Sequence, residues 1–245
     1  MRLFKSESDR QSVNDLQNRW FPADKLAHRI FKQKISATIK QTHIVLDAGC
    51  GTKLRFLKEI RGKVSVLIGI DLGGFQIHPE GINLIKGNIT HIPLRNNLVD
   101  LVMSRYVLEH LKNPVSVFRE IHRILKPDGS FIFLIPNMYG YAPIISRLIP
   151  PRFYNWVLVN FIGKKPGTFY PTFYKCNTYS SIKKISDQTG FNIAGFEYLK
   201  NYPQYMMQNR YSFIIGTIYE KLNWKFKSLN FLRPCLMAHL VKSDS

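Results

Sequence analysis

The stretch VLDAGCGTKLRF, residues 45–56, joins an apolar run to a basic segment through an acid and two glycines. HIVLDAG (43–49) reads as a buried strand that delivers Asp47 at its end, and TKLRFLKEIRG (52–62) reads as a helix stopped by Gly62. Gly49 and Gly51 form the turn between them. Glycine there lets the backbone approach a ligand, because no Cβ intervenes. The same two glycines would also serve a turn that is merely tight, so the stretch has to be read together with the strands downstream of it.

KVSVLIGIDL (63–72) is a second apolar run, GINLIKGNI (81–89) a third and LVDLVMSR (98–105) a fourth. NPVSVFREIHRILKPDG (113–129) is the best-marked helix, with Asn113 placed to cap it, Pro114 suited to its first position, and Val117, Phe118, Ile121, Ile124 and Leu125 along one face. Lys126, Pro127 and Gly129 are expected to end it, and SFIFLIP (130–136) reads as a fifth strand. Upstream, residues 24–41 have helical spacing with Asp24 as the expected cap. Downstream, NTYSSIKKISDQTG (177–190) reads as a helix stopped by Gly190, FNIAGFEYL (191–199) as a strand, 204–232 as mainly helical and CLMAHLVK (235–242) as a last strand. Continuous apolar strands alternating with amphipathic helices imply a parallel sheet covered on both faces, a doubly wound α/β fold with right-handed crossovers.

In such a sheet, ligands bind beyond the carboxyl ends of the strands, where strand order reverses. A second acid, Asp71, ends the second strand 22 positions after Gly49. An acid about 20 residues after a glycine turn is placed to hold ribose hydroxyls, which implies a nucleoside-bearing cofactor. A dinucleotide needs G-x-G-x-x-G, and here the turn reads GCGTKL, without the third glycine. Asp47, directly before the turn, would repel a pyrophosphate. It suits a ligand carrying positive charge, such as S-adenosylmethionine with its ammonium and sulfonium.

VLDAGCGT, GIDL, GNITHIPLRNNLVDLVMSRYVLEHLKNP and FREIHRILKPDGSFIFLIPN resemble, in order, the motifs of class I S-adenosylmethionine-dependent methyltransferases, and most closely the type-11 group. The resemblance covers residues 43–137 and rests on several spaced motifs. It implies a Rossmann-like sheet, mostly parallel and seven-stranded, with aromatic-rich helical insertions after strands 5 and 6. It also implies roles. Asp47, Ala48 and the Gly49–Gly51 backbone would contact the methionine moiety, and Asp71 the ribose. Leu72 would pack on the adenine, Asn88 and Ile89 would read its edge, and Arg105 would stand beside the methionine end. Lys53 departs from a frequent third glycine and Asn88 from the usual aspartate. Asparagine keeps an acceptor oxygen but loses the charge.

Methyl transfer mainly requires alignment of the acceptor and exclusion of water. His110, just past the fourth strand, could serve as a base for a hydroxyl acceptor. Glu109–His110 equally reads as a structural turn that orders the cofactor loop. Acceptor choice is expected in residues 138–175 and 200–234, with Tyr106, Tyr139, Tyr170 and Tyr174 as candidate substrate contacts. Tyr141, Phe153, Tyr154, Trp156 and Phe173 could extend a ring-lined pocket.

The chain has 245 residues, 45% of them hydrophobic, enough for one full-size domain over 1–245. Its formal net charge is +19. Such an excess suits an anionic membrane surface, a nucleic acid or an acidic substrate. No block of like charge marks a nucleic-acid arm, so nucleic acid is not favoured. Arg147, Arg152, Lys164 and Lys165 among aromatics, and the stretch RYSFIIGTIYEKLNWKFKSLNFL, suit a membrane interface. Together these features point to an O- or C-methyltransferase for a small-molecule or lipid-linked, amphiphilic acceptor. The competing readings are an RNA methyltransferase and a non-catalytic S-adenosylmethionine-binding protein. Cys50, Cys176 and Cys235 have no pairing or metal spacing, which points to a reduced, cytoplasmic protein without metal. The first residues have no apolar core and read as no secretory signal, and no run reaches the ~18–20 apolar residues of a membrane span.

Overall fold

A computed structural model describes residues 7–148, 152, 171–207 and 210–243. They fall into two compact units. One comprises residues 31–135, 172–197 and 237–245, and the other 1–30, 136–171 and 198–236.

The first unit is built on a seven-stranded sheet. Its strands are β1 (Ile44–Ala48), β2 (Val66–Asp71), β3 (Asn83–Lys86), β4 (Val99–Arg105), β5 (Leu125–Pro136), β6 (Phe191–Leu199) and β7 (Cys235–Lys242), in the order β3-β2-β1-β4-β5-β7-β6. β1 pairs in parallel with β2 and β4, β2 with β3, and β4 with β5. β7 runs the other way. The Asn137 N–H donates to Pro234 O, setting the start of β7 beside the end of β5, and the Ser243 N–H donates to Gly190 O, setting its end beside the start of β6. Strand order reverses between β1 and β4, so their carboxyl ends form the switch point of the sheet.

The residues of β1 and β4, and Phe131–Ile135 of β5, are buried almost throughout, as strands covered on both faces must be. Helix α4 (Pro114–Ile124) lays Val117, Phe118, Ile121 and Ile124 on the sheet, and the Phe118 ring meets Phe131 and Phe133 edge-on at 5.4 and 5.8 Å. Pro114 opens the helix as expected. The Asn113 side chain, however, makes no capping bond; its carbonyl accepts from Ser116 Oγ instead. α4 also stops sooner than its sequence suggests, and β5 begins directly at Leu125. Pro127 forces Lys126 out of the helical region, and Asp100 then takes Lys126 Nζ at 2.7 Å. α3 (Arg55–Ile60) is only six residues long and enters through Leu54 at φ 52°, with Gly62 beyond its end at φ 77°. The later helix (Tyr179–Thr189) has a full capping box between Thr178 and Ser181 and a left-handed Gly190 stop.

In the second unit, α1 (Glu7–Trp20) was not foreseen from the sequence. Asp24 is not the cap of the next helix. It sits inside a 3-10 turn, Ala23–Lys25, Leu26 is extended, and α2 (Ala27–Thr38) starts after it. α5 is Tyr141–Leu148, and with Tyr179–Thr189 as α6 the long helix Arg210–Lys225 is α7. The core of this unit is Val13, Phe21, Leu26 and Phe213, with Trp20, Tyr202 and Trp224 against it. Phe21 meets Phe213 and Trp224 edge-on at 6.1 and 5.5 Å. Lys221 Nζ donates to Trp20 O at 2.6 Å and lies over the Phe21 and Trp224 rings, binding α7 to the end of α1. Among the described residues, no helix is long and apolar enough to cross a membrane.

Candidate functional site

The carboxyl ends of β1, β2 and β4 bring together Asp47, Ala48, Gly49, Gly51, Asp71, Leu72 and Arg105. The turn after β1 is built of backbone bonds. The N–H groups of Gly49 and Cys50 both donate to Ile70 O, at 2.8 and 3.2 Å. Gly49 has φ 83° and Gly51 φ 68°, conformations that favour glycine. Gly49 is required for space as well, since a Cβ there would overlap the Cγ2 methyl of Val107. A Cβ on Gly51 would meet nothing within 4 Å, so the turn is open above that residue.

Asp71 ties the turn to the second strand. Its Oδ2 accepts from Gly51 N at 2.8 Å and its Oδ1 from Gly73 N at 2.9 Å. Each carboxylate oxygen keeps a further lone pair for another donor. Leu72, the next residue, is 67% exposed, an apolar side chain presented to solvent beside the acid. Asp47 is buried, and desolvation raises its pKa from 3.8 to about 7; the Arg105 guanidinium pulls it down and Asp71 pushes it up. Arg105 itself lies over the Phe56 ring, 5.4 Å from its centroid. Ser104 Oγ donates to Ala48 O at 2.8 Å, locking β4 to β1 beside the turn.

Asn88 follows β3. It is exposed, and its Oδ1 accepts from Thr90 N at 3.0 Å, while Ile89 beside it is buried. Gly87 N donates to Asp71 O at 2.9 Å, so this loop is tethered to the second strand. Tyr106 holds φ 57° at the end of β4, with its N–H on Leu134 O. His110 closes the 3-10 turn Leu108–His110, with Nε2 3.9 Å from Glu109 Oε1, too far for a hydrogen bond. Phe173 N and Tyr174 N both donate to Glu109 O, which brings Tyr174 to the same turn.

Tyr139 and Tyr141 belong to the helical unit. Tyr139 is exposed and edge-on to Phe231 at 6.5 Å, and Tyr141 is edge-on to Tyr219 at 5.6 Å. Phe153, Tyr154, Trp156 and Tyr170 lie outside the described residues.

Sequence reading offered Glu109–His110 as a structural turn but missed how that turn is supported. Glu109 is buried with Oε2 unpartnered, and burial raises its pKa to about 7. Cys176, against the same turn, is raised to about 12 by burial and by Glu109. The Val107 wedge and the Phe173–Glu109 bond have no local signal, because the partners are far apart in the chain.

A family model described as a methyltransferase domain matches residues 46–133, from within β1 into β5. An uncharacterised protein of Methanocaldococcus jannaschii is 28% identical over 137 residues, covering 56% of this chain and 53% of that one. A demethylmenaquinone methyltransferase of Listeria welshimeri is 24% identical over 180 residues, covering 64% of this chain and 71% of that one. Among solved structures, an S-adenosylmethionine-dependent methyltransferase from Mesorhizobium loti has a TM-score of 0.60 at 16% identity, covering 89% of this chain and 99% of that one. The chain spans between 49% and 62% of the length of the first curated relatives that it matches. The fold likeness to the Mesorhizobium protein extends well beyond the matched segment 46–133.

The site fits S-adenosylmethionine, the cofactor named for several of these relatives, in three respects. The buried Asp47 carboxyl, its pKa raised to about 7 by desolvation, would be drawn to its ionised form by a cationic ligand. Asp71 keeps acceptor capacity for two hydroxyls. Leu72 offers a bare apolar surface next to it.

Proposed function

We propose that the chain transfers the methyl group of S-adenosylmethionine to oxygen or carbon of an amphiphilic acceptor. The observation that carries the reading is the pair of carboxylates, Asp47 and Asp71, at the ends of adjacent strands with a two-glycine turn tied between them. Bound there, the cofactor supplies an electrophilic methyl on a sulfonium. The chain's own residues do the rest. Asp47 faces the ammonium end, and Arg105 stays beside it to balance the carboxylate. Asp71 receives the ribose hydroxyls while it keeps its bonds to Gly51 and Gly73. Leu72 and Ile89 flank the adenine, and Asn88 offers its edge an acceptor. Alignment and exclusion of water are the main catalytic demands of such a displacement.

His110 is the candidate to accept the acceptor's proton, from the 3-10 turn beside Tyr106 and Tyr174. A carbon acid or phenol of low pKa would not need it. An amphiphilic acceptor is supported by the basic, aromatic segments 138–175 and 200–234. It is supported also by relatives named for demethylmenaquinone and for malonyl-[acyl-carrier protein], a quinone and a carrier-bound acyl group.

The test is titration with S-adenosylmethionine, followed by transfer of labelled methyl into a cell extract separated into organic, aqueous and RNA fractions. The reading expects cofactor binding without NAD binding, and label in the organic fraction. Label in RNA would favour the nucleic-acid alternative. Binding without transfer to any fraction would make the chain a non-catalytic cofactor-binding protein.

A further inference from the structure

Helix α7 is turned inside out relative to an ordinary surface helix. Its buried residues are Phe213, Gly216, Thr217, Glu220 and Asn223. Among them the Glu220 oxygens, the Thr217 hydroxyl and the Asn223 amide nitrogen find no hydrogen-bond partner. Its outward side carries Tyr211, Ile215, Ile218 and Leu222, continued past the helix end by Phe226. Their spacings of four, three, four and four residues put them on one face. Tyr211 is 80% and Ile215 62% exposed. Single exposed apolar residues are ordinary, but a stripe four turns long marks a surface that meets something. Beside it runs a groove of about 380 Å³ lined by Trp20, Ile214, Ile218 and Leu222, with Lys221 and Lys225 at its rim.

Charge identifies the occupant. Segment 198–236, which carries the stripe, contains six Lys and Arg and one acid, Glu220, and that acid is buried. The stripe is therefore apolar along its middle and cationic at its margins. A second copy of the chain would bring like charges together, which is costly. A bilayer with anionic headgroups matches both parts, taking the rings and branched side chains at headgroup depth and the lysines at the phosphates. We infer that the outward face of α7 docks flat on an anionic lipid bilayer. The inference is independent of the methyltransferase reading.

The experiment is co-sedimentation of the full chain with vesicles of phosphatidylcholine alone or mixed with phosphatidylglycerol, at low and high salt. Binding should require phosphatidylglycerol and weaken with salt. The pair Ile215→Glu and Ile218→Glu should weaken it by tenfold or more. The exposed pair Lys225→Gln and Lys227→Gln should weaken it by about tenfold or more, since each basic residue near an anionic surface adds about fivefold. Circular dichroism checks that both variants fold. Equal, negligible sedimentation with both vesicle types would overturn the inference, as would parent-like binding by the glutamate pair. Sedimentation velocity supplies the remaining outcome: self-association abolished by Ile218→Glu, without vesicle binding, would make the face a contact between copies and reject the lipid.

Discussion

Replacing Asp71 by alanine removes two backbone tethers at once, the bonds from Gly51 N and Gly73 N, along with the proposed ribose acceptor. Hydrogen bonds to charged groups contribute ~1.5–3 kcal/mol each. Cofactor affinity should fall by about tenfold to a hundredfold, and more if the turn loosens. Asp71→Asn should be milder, because one acceptor oxygen survives. Calorimetric titration of folded variants checks this, and unchanged affinity in Asp71→Ala would remove the ribose assignment. Asp47 adds a pH dependence. Its pKa of about 7 without ligand means that a bound cation must favour the ionised form, so binding releases a proton. Affinity should therefore hold above pH 7 and fall about tenfold per unit below it. Asp47→Asn should bind weakly with no such slope. The positions of both acids were legible in the sequence, because strand ends and a glycine turn are local signals. That Asp71 also anchors the turn was not legible, since the bond to Gly51 exists only once β2 lies beside β1.

At the scale of elements, β6 and β7 match their sequence reading residue for residue, bounded by Gly190 on one side and Pro234 on the other. The helix before β6 was legible for the same reason, since Thr178 and Gly190 are its own start and stop. Thr178→Ala should cost ~1 kcal/mol of stability, read from urea denaturation, because Ser181 N loses its acceptor, Thr178 Oγ1, while the bond from Thr178 N to Ser181 Oγ survives. A change within error would mean that packing alone sets that helix's start. Where the reading failed, a neighbouring residue or turn, such as Pro127 after Lys126, had overruled helical spacing. Lys126 looks helical but extends to meet Asp100, which also receives Ile44 N. Asp24 looks like a cap but is consumed in a 3-10 turn. α1 is mostly polar in sequence and presents only a few residues, such as Val13 and Leu16, to its core.

For the molecule as a whole, buried acids set a characteristic response to pH. Asp47 and Glu109 rise to about 7 and Glu220 to about 8, each from an ordinary carboxylate value. A group whose folded pKa is raised contributes stability that is complete below its unfolded pKa and is lost as pH rises through the folded one. The three acids therefore work against the fold between about pH 4 and 8. The net charge of +19 works the other way, because acid increases self-repulsion. Glu220→Gln isolates one contribution. The melting-temperature difference between variant and parent should move in the variant's favour as pH rises from 6 to 9; a difference that does not change with pH would show that Glu220 is not held neutral.

The strand order also bears on how the chain is made. β6 borders the sheet only through β7, and β7 follows it after residues 200–234. At synthesis rates of ~5–20 residues per second, those residues take about two to seven seconds to emerge. Throughout that interval β5 and β6 both present unpaired edges to solvent or to a waiting chaperone. A slowly translated tract within 200–234 would lengthen this exposure, so the yield of soluble protein should depend on codon choice there more than in the segment encoding β1 to β4.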